Sequence, residues 1–248
     1  MTNNKLIFSL LKKYELSNDE IEELVNVIES IYQHDEFQRR ISKEFSHHDD
    51  ITLGYHIIEV TILAYILSKR YSKNKEIDLN VALKIAMLHD LYTQPWQNNP
   101  EAAVNKFFNM HGFRHPIESV INGSVWFPEI FDKNKETEII IDGIVHHMFP
   151  LPVAKFIEDN SNPLELRNFN YVEAMDPIVK NALINSSDRC SIGSISITPS
   201  IHIEGRIVST ADKIVSINNL KRSNINGIKA LVTGKNKNLE RAKVKELK

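Results

Sequence analysis

The chain has 248 residues and carries 30 Lys and Arg residues against 32 Asp and Glu residues, so its formal net charge is −2. A chain of this length can bury a full hydrophobic core within one domain. The nearly balanced charge gives no general attraction to nucleic acid or to an anionic membrane. One cysteine excludes an internal disulfide bond, and no signal peptide or long apolar segment is visible. We therefore expect a cytoplasmic protein with no membrane or nucleic-acid partner.

The first 44 residues are predicted to form helices that pack on a following core. Ser17 and Glu20 have the spacing of a capping box, which announces the second of two helices before residue 33. This helix carries an apolar stripe, which favours packing in the core or in a homodimer, made of Ile21, Leu24, Val25, Ile28 and Ile31. The stripe has no feature of a ligand-binding site.

Two buried helices follow, and each carries a polar residue that can bind a metal. The first is predicted from Thr52 to Arg70 and places His56 in line with apolar side chains. The second begins after Asp78, a helix-capping residue type, and ends in the pair His89-Asp90. A buried imidazole or carboxylate needs a hydrogen-bond partner or a metal ion. For each residue alone, an ordinary core histidine or a capping aspartate is the alternative.

Later segments carry further histidines at helix ends. Pro116 suits the first turn of a helix, which would put His115 at the cap of that helix. A helix is also predicted over residues 135–148, and it would end in His146 and His147. These histidines would join His56 and His89 if the helix ends meet in the fold.

A last helix, predicted from Ile203 to Asn219, carries Asp212 beside apolar residues. Five helices would then each turn a nitrogen or oxygen ligand inward, which suits a site of one or two transition metals. An insertion is predicted over residues 151–203. Within it, the alternating residues 195–203 suggest a short β-hairpin about a Pro-Ser turn. Residues 220–248 are predicted to form a polar tail, in which residues 229–248 are rich in Lys, Asn and Glu.

In this order, the residues resemble the signature of the HD-domain superfamily of metal-dependent phosphohydrolases. That signature has a first His, a His-Asp doublet, later histidines and a distal Asp. The chain is also similar to small bacterial HD-domain proteins that carry His-x-Phe-x-His-Pro and His-Met-Phe-Pro segments, here residues 111–116 and 147–150. The resemblance covers about residues 45–219 and implies an all-α helical bundle.

The resemblance also implies the ligands of the metals. It implies one metal held by four residues, His56, His89, Asp90 and Asp212. Asp90 would bridge to a second metal that His115 and His147 bind. His146 is a further candidate, because the His-His doublet is similar to that of the HD-GYP phosphodiesterases. The other hallmarks of that branch are missing here, so cyclic di-GMP hydrolysis is not favoured. Iron and manganese are the expected divalent metals, with Zn, Ni or Mg as alternatives.

A metal-activated water that attacks a phosphate ester or anhydride is the chemistry that such a site implies, with Asp90 as the catalytic residue. Lys213, Arg114 and His111 are candidate contacts to the small phosphorylated substrate, although Lys213 and Arg114 could equally be surface charges. The segment around Asp212 also resembles HD-type hydrolases that split diadenosine tetraphosphate, which favours nucleotides and dinucleotides. A mixed-valent di-iron oxygenase and a non-catalytic metal-containing binding protein remain as alternatives.

Overall fold

The computed structural model describes residues 10–48, 51–94, 111–132, 134–156, 171–193 and 195–233. These residues form a mostly helical domain with small β elements, which confirms the predicted all-α class. The α-helices in chain order are α1 (Asn18–Gln33), α2 (Asp35–Ile41), α3 (Leu53–Tyr71), α4 (Leu79–Leu88), α5 (His111–Trp126), α6 (Asn134–Val145), α7 (Pro177–Asp188) and α8 (Ile203–Thr233). Short 3-10 helices lie at Pro128–Ile130 and Val172–Ala174. None of the helices in these ranges has both the length and the apolar run that crossing a membrane requires.

The predicted capping box at the start of α1 is present. The Glu20 amide donates to the Ser17 hydroxyl (3.3 Å), and the Ser17 amide donates to the Glu20 carboxylate (2.9 Å). The apolar stripe of α1 buries Leu24, Ile28 and Ile31 in the core of the same chain. Residues 10–13 are helical as well, and the rest of the first predicted helix lies outside the described residues.

The core of the domain is a bundle of α3, α4, α6 and α8. Helix α3 is buried around most of its circumference and packs against α4 and α8, while α4 also contacts α6. Polar side chains cap the starts of two of these helices, Thr52 for α3 and, as predicted, Asp78 for α4. The Thr52 hydroxyl accepts from the Tyr55 amide (3.3 Å), and the Asp78 carboxylate accepts from the Val81 amide (3.1 Å). These caps satisfy amides that have no partner within the helix.

Two helix ends that carry histidines differ from the prediction. His115 is not a cap, because α5 already includes His111 and contains Pro116 within its length. Pro116 removes one backbone hydrogen bond within α5, and the described helix continues on both sides of it. Helix α6 ends at Val145, and both His146 and His147 lie in the following turn. Pro150 is close by, and a proline disfavours helical geometry in the residue before it.

The last helix is longer than predicted, since the backbone of α8 is helical to Thr233. A polar composition is not by itself a helix stop signal, so it does not set the end of the helix. Residues 234–248 of the predicted tail lie outside the described residues.

The β elements form two small antiparallel sheets. Strands β1 (Ser46–His48) and β2 (Ile51–Thr52) pair just before α3. Strands β3 (Val153–Ala154), β4 (Ser191–Ile192) and β5 (Ile195–Ser196) form a second sheet in the order β3-β5-β4. The predicted small β element is therefore present, but its turn lies before residue 195 and not at the Pro-Ser pair. The alternation of residues 195–203 predicts neither of the two partners of β5. Strand β3 is distant in sequence, and β4 lies before the alternating segment.

Candidate metal centre

Six residues predicted to bind metal lie together at one buried point among the helices. We call them the six-residue cluster: His56 on α3, His89 and Asp90 directly after α4, His115 on α5, His147 in the turn after α6, and Asp212 on α8. Each of these residues is at most 6 % exposed. Five separate parts of the chain thus contribute polar side chains to a region that is otherwise packed with apolar residues.

The two carboxylate oxygens of Asp90 face different pairs of imidazoles. Asp90 Oδ1 lies 3.2 Å from His115 Nε2 and 3.6 Å from His147 Nε2. Asp90 Oδ2 lies 3.7 Å from His56 Nε2 and 3.6 Å from His89 Nε2. A carboxylate that divides its oxygen atoms between two sets of ligands is suited to bridging two ions. On the second side, Asp212 Oδ1 lies 3.2 Å from His56 Nε2.

Three imidazoles of the cluster are oriented by carbonyl oxygens of their own helix or turn. His89 Nδ1 lies 2.7 Å from the Ala86 carbonyl, and His147 Nδ1 lies 2.7 Å from the Ile144 carbonyl. His115 Nδ1 lies 3.0 Å from the carbonyl oxygen one turn earlier on α5. A carbonyl oxygen can only accept, so each Nδ1 carries a proton, and the Nε2 atom of each ring in its neutral form presents a lone pair. This is the tautomer that binds a metal through Nε2.

The facing lone pairs suit a cation between them. His115 Nε2 and His147 Nε2 are only 3.1 Å apart, although both Nδ1 atoms already donate to carbonyl oxygens. Bonds of about 2.1 Å put two neighbouring ligands of one ion roughly 3 Å apart, which is the spacing seen here. His89 Nε2 and both ring nitrogens of His56 are buried without a hydrogen-bond partner among the described residues. The donor atoms therefore fit metal ions.

The electrostatics of the cluster give anionic oxygens beside imidazoles of two kinds. Burial opposes protonation of His56 and His115, but the carboxylates of Asp212 and Asp90 raise the pKa of both rings, whereas the pKa of His147 is lowered. Burial opposes ionisation of Asp90, but the imidazoles of His89, His115 and His147 hold its pKa well below the ordinary value. Burial likewise opposes ionisation of Asp212, and its pairing with His56 lowers its pKa. Burial, with the neighbouring imidazoles, lowers the pKa of His147 to about 3. Carboxylate oxygens and neutral imidazoles are the ligands that Fe, Mn, Zn and Ni accept.

A cavity of about 410 Å³ opens on the cluster, with Asp90, His115 and Asp212 in its lining. This is the size of site that holds a small organic molecule. Part of its lining is apolar and comes from Met148, Pro150, Leu151 and Ile217. The cavity therefore offers a polar region at the cluster and an apolar wall beside it.

Two of the three candidate substrate contacts border this cavity. The Lys213 ammonium group is half buried and donates to the Ser209 carbonyl (3.0 Å) and to the Ser209 hydroxyl. His111 lines the cavity, and its ring stacks on that of His115 with centroids 5.0 Å apart. Burial lowers the pKa of His111 to about 3. Arg114 is partly buried and is not among the described residues that line the cavity.

His146 belongs to a different polar network. Its Nε2 atom lies 3.1 Å from the Ser186 carbonyl and 3.3 Å from the Ser186 hydroxyl. Asp142 Oδ1 is 3.8 Å away and also pairs with Arg189 Nη1 (2.6 Å). Burial lowers the pKa of His146 to about 4. His146 and His147 thus have different partners, and His146 does not belong to the six-residue cluster.

His47 is a cavity residue that the sequence patterns do not predict. It lies on β1, lines the cavity, and stacks on His56 with ring centroids 4.3 Å apart. One of its ring nitrogens lies within 4.8 Å of ligand atoms of His56 and Asp90. No helical apolar face marks this residue. Its one sequence signal is the run His47-His48-Asp49-Asp50, directly ahead of the first buried helix.

Comparison with known proteins identifies the family of the chain. The model of the HD domain family matches residues 53–216, about two thirds of the chain, and this range contains the whole six-residue cluster. The searches of curated proteins and of solved structures found no match to the chain. The family match and the buried His and Asp residues both indicate a metal-binding site. The chain belongs to the HD domain family, whose members are generally metal-dependent phosphohydrolases.

Proposed function

We propose that the protein is a metal-dependent phosphohydrolase that cleaves a phosphate ester or anhydride, with nucleotides and dinucleotides as the first substrates to test. The observation that carries the proposal is the position of Asp90. Its two oxygens face separate pairs of imidazoles at a cavity that Lys213 also borders. A bridging carboxylate beside a cation suits an anionic phosphoryl group.

The residues divide into two sets of ligands. His56, His89, Asp90 and Asp212 would hold one divalent metal. Asp90, His115 and His147 would hold the second, with Fe or Mn as the expected metals. When bound, such a pair of ions supplies a water of lowered pKa and offsets negative charge on the phosphoryl oxygens.

The remaining residues bind and orient the substrate. Lys213 is held by the Ser209 carbonyl and hydroxyl, so its positive charge stays at the cavity wall. There it stabilises a phosphoryl oxygen by a charge-assisted hydrogen bond. His111 extends the wall next to His115, and the apolar side chains of Met148 and Leu151 are placed to pack on the organic part of the substrate.

The test combines metal analysis with a substrate screen. Protein prepared without chelator should contain about one to two equivalents of a transition metal, and less than about a tenth of an equivalent would contradict the proposal. The metal-loaded protein is then screened for phosphate or nucleotide release from phosphomonoesters, phosphodiesters, nucleotides and dinucleoside polyphosphates. Oxygen consumption with an organic substrate and no hydrolysis would indicate the oxygenase chemistry instead. Bound metal with neither activity would indicate a binding protein.

A further inference from the structure

His47 approaches the candidate metal centre from outside the helical bundle. Strand β1 pairs with β2, and β2 ends at Thr52, the cap of α3. The paired strands therefore fold His47 back over the first turn of α3. Its ring stacks on His56 with an angle of 30° between the planes, and it borders the cavity. His47 thus lies beside the candidate metal ligands, close enough to be a further ligand or a contact to the substrate.

The partner of His47 Nδ1 differs from that of the cluster imidazoles. His47 Nδ1 lies 3.0 Å from the hydroxyl oxygen of Tyr92. Tyr92 is buried, and among the described residues its hydroxyl has one hydrogen-bond partner, which is His47. A phenol is neutral at neutral pH, and its buried proton needs an acceptor. The Tyr92 hydroxyl satisfies this need by donating to His47 Nδ1.

The consequence is that His47 has the opposite tautomer to its neighbours. A neutral imidazole that accepts at Nδ1 carries its proton on Nε2. His89 and His147 donate from Nδ1 to carbonyl oxygens, so they present a lone pair at Nε2. His47 instead presents an N–H group. A metal ligand must offer a lone pair, whereas a phosphate oxygen accepts an N–H hydrogen bond.

We propose that His47, oriented by Tyr92, donates a hydrogen bond to the phosphoryl group of the substrate and is not a metal ligand. The inference rests on the proposed function and adds a substrate-binding residue to that site. In this arrangement His47 and Lys213, which both line the cavity, bind phosphoryl oxygens next to Asp90. Tyr92 is a positioning residue, because it acts through the ring of His47.

The test measures two quantities on the full chain: its metal content and, after loading with Mn²⁺, its affinity for inorganic phosphate by titration calorimetry. His47→Ala should keep its metal and bind phosphate about tenfold more weakly, the effect of losing one hydrogen bond to a charged group. His47→Gln can place an amide N–H near the position of Nε2, so it should recover most of the affinity. Tyr92→Phe should weaken binding about threefold and add nothing to His47→Ala.

His202→Ala is the matched control, because His202 is a partly buried histidine that does not line the cavity. It should leave both quantities unchanged. Metal loss from the His47 variants would make His47 a ligand and overturn the inference. Unchanged phosphate affinity in folded His47→Ala would also overturn the inference. If His47→Ala does not fold, unchanged affinity in Tyr92→Phe would do the same. Either result would leave the proposed function standing. Wild-type protein that holds Mn²⁺ but neither binds phosphate nor hydrolyses any ester would overturn both.

Discussion

At the residue scale, the orientation of the candidate ligands comes from the local backbone. His89 and His147 each place Nδ1 2.7 Å from a carbonyl oxygen three residues earlier, on Ala86 and Ile144. Each contact fixes both the ring orientation and the tautomer, the task that a second carboxylate performs in many metal sites. Because the supporting group is a main-chain oxygen, no side chain in the sequence reveals it.

The first prediction concerns Asp90. Asp90→Ala should lower phosphohydrolysis at least about 100-fold. Asp90 is the carboxylate proposed to bridge the two metals, so its loss would remove both the activation of the water and the neutralisation of negative charge on the phosphoryl oxygens. The helical fold should remain, since Asp90 follows the last residue of α4 and lies outside its apolar face. The measurement compares wild type and variant on a generic phosphodiester and on dinucleoside polyphosphates at saturating Mn²⁺. Circular dichroism serves as the control for folding, and equal activity in a well-folded variant would refute the mechanism.

The second prediction separates two neighbouring histidines. His147→Ala should lose at least half of the bound metal, because His147 Nε2 faces Asp90 Oδ1 at 3.6 Å. His146→Ala should keep the metal, because its Nε2 atom contacts Ser186. Elemental analysis of the two purified variants gives the comparison. Similar metal loss in both would show that His146 is a ligand after all.

At the element scale, the turn that carries His147 depends on close helix packing. A Cβ atom added at Gly143 on α6 would lie 2.6 Å from a side-chain carbon of Ile85 on α4. Gly205 on α8 is equally crowded, since its Cβ would lie 2.7 Å from the Gly143 Cα atom. Helices α4, α6 and α8 thus meet at these two glycines. Each of these helices carries or directly precedes residues of the six-residue cluster, so the spacing between the helices influences the spacing of the candidate ligands.

The third prediction tests this packing. Gly143→Ala should destabilise the protein by about 1–3 kcal/mol, because the added methyl group must displace Ile85 in a filled core. Gly112→Ala is the matched control, since a Cβ at Gly112 meets nothing within 4 Å and alanine is the better helix former. The free energy of unfolding from urea titrations measures both effects. Equal stability of the two variants would contradict the packing argument.

The segment after His89 and Asp90 is held by side chains from two other helices. Arg40 on α2 donates to the Tyr92 carbonyl (2.6 Å), and Asn122 on α5 donates to the Leu91 carbonyl (2.6 Å). Both side chains are fully buried. They satisfy main-chain oxygens beyond the end of α4 and so fix the backbone that presents Asp90 and Tyr92.

The sequence predicts those parts of the fold that depend on local rules. The caps at Ser17 and Asp78 and the apolar faces of α3 and α4 follow from neighbours within one or two turns. The pairing of β3 with β5 and the position of His47 depend on partners distant in sequence or beyond a turn, so periodicity cannot reveal them. Likewise, the His-His doublet that made His146 a candidate ligand does not specify which way each ring faces after the helix has ended.

At the scale of the whole molecule, the candidate metal centre connects segments from α3 to α8. Residues from five parts of the chain reach the cluster, and its facing lone pairs repel one another when no cation separates them. Such a cluster exists only in the folded state, because the unfolded chain does not hold these residues together. Metal binding should therefore favour the folded protein.

The last prediction uses this linkage. A ligand that binds only the folded state at about 100 times its Kd stabilises it by about 2.7 kcal/mol. For a domain of this size that corresponds to a rise in Tm of about 5–10 °C. Protein stripped with a chelator should show this rise as Mn²⁺ is added, and its Tm should increase with the Mn²⁺ concentration. His202→Ala should respond like wild type, whereas Asp90→Ala should show little response because both ligand sets lose their shared carboxylate. A wild-type Tm that does not change with Mn²⁺ would mean that the cluster does not hold this metal.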